Sequence, residues 1–169
     1  YSHAKDLQTH TEAMITAFKA ADGWSFELMG EPFWWSLEQL KAALPAGSLA
    51  VTHSQEPVAY FRYLKKQRPA LVVVPLEDNA FNRSKSNIAW IEATMAGAVV
   101  LAPDWDEWRM PGVINYSDHN HFAQLIAMFA AGGFNDNDRW EQSRDYILAN
   151  LTLDRLNGDR LDVINSLKS

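Results

Sequence analysis

The segment "ALVVVPLEDNAFNRSKSNIAWIEATMAGAVVLAP", residues 70–103, decides the fold. Its two ends, "ALVVVPL" (70–76) and "AVVLAP" (98–103), are continuous apolar runs rich in β-branched residues, the pattern of strands buried on both faces of a parallel sheet. Between them, 84–96 has helical spacing and stops at Gly97, a residue suited to a left-handed helix cap. A strand, a helix and a second strand in so short a span make a βαβ unit.

The same alternation continues outward. Helical patterns fall at 4–21, 36–44, 57–68, 119–131, 139–151 and 155–168. Short strand patterns fall at 23–30, 48–53 and, more weakly, 112–116. Glycine or proline stands at most of the joints, and no repeat, low-complexity tract or linker interrupts them. This order predicts one α/β domain with a doubly wound, mostly parallel sheet and helices on both faces.

Composition narrows the function. A chain of 169 residues, 47% hydrophobic and 21% charged, is long enough for a substantial core and unlike a disordered tail. The formal charge is -6 and the basic residues are scattered, which argues against a nucleic-acid surface. With no cysteine there is neither a disulfide nor thiolate chemistry. No apolar run approaches the ~20 residues that span a bilayer. The chain opens at Tyr1, so a piece of a longer protein is expected.

In a sheet of this kind, ligands sit beyond the carboxyl ends of the strands, over helix amino ends. The junction at 77–87 is the richest such place. At 100° per residue, Ile88, Ile91 and Met95 fall within about 60° and are expected to face the core. Lys85 and Glu92, seven residues apart, lie within ~20° of each other on a neighbouring face, beside Ala89 and Ala96. Seven residues rise ~10.5 Å, comparable to the span from a nucleotide's diphosphate to its ribose hydroxyls. Lys85 and the helix amino end suit the anion, and Glu92 suits the vicinal hydroxyls. Taken singly, "NRSKS" also reads as a solvated loop with Ser84 or Asn82 as cap, and Glu92 as an ordinary exposed glutamate.

The segment from Val72 to Trp108, with "FNRSKSN" and "IEATMAGAVVLAP" at its centre, resembles the donor-binding half of GT-B fold glycosyltransferases of the group 1, family 4-like type. The resemblance implies a Rossmann-like C-terminal domain over 1–169 that binds a nucleoside-diphosphate sugar. It implies a further N-terminal domain for a carbohydrate or glycan acceptor, so the isolated piece is expected to be inactive. By position, Glu92 would hold the ribose. Asn82, Ser84, Lys85, Ser86 and Asn87 would surround the phosphates, and Lys85 with Arg83 would stabilise the leaving diphosphate. "SHAKDLQTHTEA" (2–13) resembles the opening loop and helix of the same group, which adds Ser2, His3 and Lys5. One departure stands out: the first glutamate of the group's E-x7-E pair falls on Ser84. The resemblance further implies a cytoplasmic enzyme of polysaccharide biosynthesis, peripheral to the membrane at most, with no cofactor and no metal.

Weaker positions complete the reading. His53, with Ser54 and Gln55, follows a strand where a base could rest. Trp34 and Trp35 are expected to pack in the core. "DWDEWRM" (104–110) lacks the glycine-centred calcium loop and reads as a cleft lining. His119 and His121, two apart on a helix, make a poor metal pair. The alternative to a transferase is a non-catalytic nucleotide-binding regulatory or scaffold module of the same fold class.

Overall fold

The alternation of strands and helices is present in the computed structural model, which describes residues 4–31 and 34–158. In order these are α1 (Ala4–Ala20), β1 (Phe26–Met29), α2 (Trp34–Ala43), β2 (Leu49–Thr52), α3 (Pro57–Gln67) and β3 (Leu71–Val73). There follow α4 (Ala80–Arg83), α5 (Ile88–Ala96), β4 (Val99–Pro103), a 3-10 turn at Asp106–Trp108, β5 (Ile114–Tyr116), α6 (His119–Ala130) and α7 (Asp136–Asn150). Backbone at 153–158 is again helical; the rest of the helix expected to Lys168 lies outside the described residues.

All pairing is parallel. β1 pairs with β2, and β3, β4 and β5 pair in that order as a second sheet. Side chains alternate along the strands. Leu28, Leu49, Leu71, Val73, Val99, Leu101, Ile114 and Tyr116 join one core cluster with α1, α2 and α6. Val72, Val74, Val100 and Ala102 join a second cluster with α5 and residues of α7. Apolar material on both sides is what continuous apolar strands require.

Three expectations about β3 and α5 are corrected. The run 70–76 is strand only at Leu71–Val73, and all three residues are half-buried rather than buried on both faces. Pro75 has no N–H for the ladder. Past Val74, whose N–H still reaches Leu101 O at 2.8 Å, the Tyr116 hydroxyl takes over, accepting from Leu76 N at 3.0 Å and donating to Val74 O at 3.1 Å. Second, the helix expected from Ser84 starts at Ile88, and a separate single turn, α4, precedes it. Third, Ile88 and Met95 are 53% and 41% exposed, whereas Trp90, Ala93, Thr94 and Ala96 are buried. Apart from Glu92 and Thr94, α5 is apolar all round, so hydrophobicity picks no face. Packing against β4 and α7 does, with Trp90 Nε1 donating to Ser143 Oγ at 3.2 Å.

Gly97 ends α5 as expected, at φ 98°, its N–H reaching the carbonyls of Ala93 and Thr94. Gly112, at φ 78°, allows α7 to come close: a Cβ there would stand 2.0 Å from Arg139 O. Trp34 departs from its expected core packing. It opens α2 at 71% exposure, while Trp35 is half-buried.

Candidate functional site

The helical phase of α1 puts Asp6, His10, Met14 and Ala17 on its buried side. A carboxylate on that stripe needs partners. Asp6, 2% exposed, finds them in the segment after β3. Its Oδ1 accepts from the Glu77 N–H at 2.9 Å and from Asn82 Nδ2 at 2.6 Å, and Lys85 Nζ stands 3.5 Å from Oδ2. Asn82 is equally buried. Its amide also donates to Glu77 O at 2.8 Å, and its N–H bonds to the Asn79 cap at 2.8 Å, leaving Oδ1 without a hydrogen-bond partner.

This knot fastens the amino end of α1 to the carboxyl end of β3 and gathers charge there. Lys5 Nζ lies 3.2 Å from Glu77 Oε1. Arg83 pairs with both oxygens of Asp78, at 2.5 and 2.8 Å, and its guanidinium lies 5.0 Å from the centre of the Trp105 ring. That pairing holds the Asp78 carboxyl below the usual range. Lys85, whose side chain is only 19% exposed, has its ammonium 5.0 Å from the centre of the exposed Phe81 ring. Three cations and three carboxylates thus share one edge.

The entrance to α5 is partly occupied as well. Glu107 Oε1 accepts from Asn87 N at 3.2 Å, and Asn87 Nδ2 donates back to Glu107 O at 3.2 Å. Ser84 folds its hydroxyl onto Phe81 O at 2.8 Å, while Ser86 is exposed. Glu92 lies further along α5, half-buried on the side where α3 packs; burial raises its carboxyl above the ordinary range, and the Tyr60 phenol of α3 is raised by its own burial and, secondly, by the Glu92 charge.

The structure therefore brings Lys5, Asn82, Arg83, Lys85 and Asn87 to one edge and sets Glu92 apart on the α3-facing side of α5. His53 is exposed and pairs with Glu31 at 3.2 Å in the β2 loop. Ser2 and His3 lie outside the described residues. In the 104–110 loop, Arg109 bridges Asp104 and Asp106, at 2.7 Å each, and Trp108 is buried. His119 packs edge-on against His10 at 4.7 Å, while His121 Nδ1 sits 3.1 Å from Ser117 Oγ. Among the described residues no group of three or more His, Asp or Glu could hold a metal ion. No described helix is long and apolar enough to cross a membrane.

Two surface clefts flank α1. One, of about 740 Å³, is bordered by Lys5, Thr9, Glu12, Trp35, Gln39 and His119 among others; the smaller, of about 360 Å³, lies at Phe18, Trp24 and Pro45. Neither takes in residues 82–92. Sequence reading missed Asp6 as the hub, although its spacing from His10, Met14 and Ala17 carried the signal. No family model, curated protein or solved structure matches the chain.

Proposed function

We propose that the chain is the donor-binding half of a GT-B type glycosyltransferase, built on one doubly wound sheet, that binds a nucleoside-diphosphate sugar for transfer to a carbohydrate acceptor. The observation that carries this reading is the Asp6 knot, which holds Lys85 and gathers Lys5 and Arg83 at the carboxyl end of a parallel strand. A diphosphate arriving at that edge finds two kinds of cation. Lys5 and Arg83 are exposed, and surface pairs like theirs are weak, so they can exchange a carboxylate for a phosphate. Lys85 is fixed in advance by a buried partner, so little reorganisation accompanies the reaction.

As the bond from the sugar's anomeric carbon to the bridging oxygen breaks, its electron pair passes to the leaving diphosphate. Lys85 and Arg83 offset the charge that grows there. Glu107 on the Asn87 N–H supports an oxygen-anion seat at the entrance to α5; a phosphate oxygen would take over that position. Glu92, half-buried on the α3-facing side of α5, stands outside this seat. The acceptor and its activation belong to a partner domain.

Calorimetric titration with UDP and GDP tests the reading. Binding of one of them should weaken at least tenfold in Arg83→Ala and in Lys85→Ala, each checked for folding by circular dichroism. Glu107→Gln, which removes the competing carboxylate, should tighten it. Equal affinities of the parent and both lysine and arginine variants would overturn the assignment.

A further inference from the structure

We infer that buried His10 is a proton-operated latch: neutral, it lets α1 close on the segment after β3, and on taking up a proton it loosens that closure. The ring lies beside the two fasteners that hold the segment. One is the Asp6 carboxylate, a turn earlier on α1, which accepts from Glu77 N–H and from Asn82. The other is the Tyr116 hydroxyl, which accepts from Leu76 N and donates to Val74 O. His10 is 1% exposed, and its Nδ1 stands 2.9 Å from Asp6 O. A carbonyl oxygen only accepts, so Nδ1 carries the proton of the neutral ring and Nε2 is left to take a second. The rings of Tyr116, His119 and Phe122 lie edge-on to it, at 5.8, 4.7 and 5.3 Å between centres. Among the described residues no hydrogen bond reaches Nε2.

Each element around the ring brings a titratable group. Asp6 of α1 and Glu77 after β3 favour the charged ring, and His119 of α6 opposes it. Tyr116 of β5 stays neutral, because burial pushes its phenol far up. Both carboxylates already have partners, Asp6 in Asn82 and Lys85, and Glu77 in Lys5. Burial outweighs them and holds the His10 imidazole below its ordinary range. The open chain therefore takes the proton more readily than the closed one. Closure is fully stable above about pH 6.5 and weakens as pH falls through that value. A buried imidazolium lacks both water and an acceptor for its new N–H. α1 supplies them by moving off β5 and α6, which draws Asp6 away from Glu77 and Asn82. This inference stands apart from the nucleotide reading and needs no ligand.

The test follows the His10 ring by proton NMR and the backbone amides by hydrogen exchange, corrected for its intrinsic pH dependence, from about pH 7.5 to about pH 5. The ring should titrate below the ordinary imidazole range. Exchange at Leu76 and Glu77 should speed up at least threefold toward acid, while Val100 and Leu101 of β4 keep their protection. In His10→Phe the acid step should vanish; His10→Gln, which keeps a donor, should lose it too and serves if the phenylalanine variant does not fold. The inference is overturned if the ring titrates at or above the ordinary range, if exchange at Leu76 and Glu77 does not rise, if a folded variant keeps the step, or if β4 loses protection in parallel.

Discussion

β3 and β4 are built from nearly the same letters, run side by side in parallel register and differ in one respect. β4 has a strand on each edge and is wholly buried; β3 has β4 on one edge and is half-buried throughout. The same contrast separates their carboxyl ends. β4 leads into a loop closed by Arg109 between Asp104 and Asp106, whereas the segment after β3 is tied into α1 through a buried carboxylate. An apolar run states what a strand can tolerate on its faces. What the rest of the fold lays over it decides how much water it keeps: β5, paired with β4 alone among the described residues, still buries Ile114 and Tyr116.

The largest effect that could break this contrast is a truncation in each strand. Leu101→Ala, at a site 1% exposed, should cost about 3 kcal/mol, within the range for fully buried leucines, whereas Leu71→Ala should cost about 1 kcal/mol. Urea unfolding of both variants measures the gap; equal losses would mean that β3 is already as well covered as β4. A somewhat smaller loss is expected at the knot. Asn82→Ala removes the shortest donor to buried Asp6 and should cost about 2 kcal/mol, read from the same unfolding curves. Replacing exposed Ser86 with alanine should leave stability unchanged and serves as the control.

The smallest effect concerns Glu92 and sharpens the contrast between the two positions of the candidate site. Burial raises its carboxyl, so the folded chain holds that proton more tightly than the unfolded chain does. The group favours the fold most at low pH, and that advantage is lost as pH rises through the carboxylate range. Glu92→Gln should therefore unfold at a slightly higher temperature than the parent at neutral pH, with the difference vanishing below about pH 4. A variant that is less stable than the parent at pH 7 would show that the carboxylate has a favourable partner in the fold.

Much of the architecture was legible because it depends on local rules. The β-branched runs and Gly97 mark where the strands after 70 and the end of α5 lie, although β3 stops at Val73 and β5 starts only at Ile114. The phase of α5 was not legible, since "IAWIEATMA" offers apolar residues in every direction and only Trp90 meeting Ser143 singles out a face. The candidate site divided in the same way. The polar content of 81–87 marked it, yet the role of Asn82 did not follow: its amide is consumed in holding Asp6, 76 positions away in sequence. Lys85 lies in the turn before α5 rather than on a helix face shared with Glu92, and it has a carboxylate partner that no local pattern announces.

By itself the sequence determined an alternating α/β chain without cysteine, with a cationic, amide-bearing turn after its most apolar strand, because backbone sterics and burial periodicity act over a few residues. Only the tertiary structure decided that Asp6 gathers this turn against α1, that Glu107 rests at the start of α5, and that β3, half-buried, pairs with β4. Those features depend on which distant segments meet, and pairing across long stretches of chain leaves no trace in local spacing.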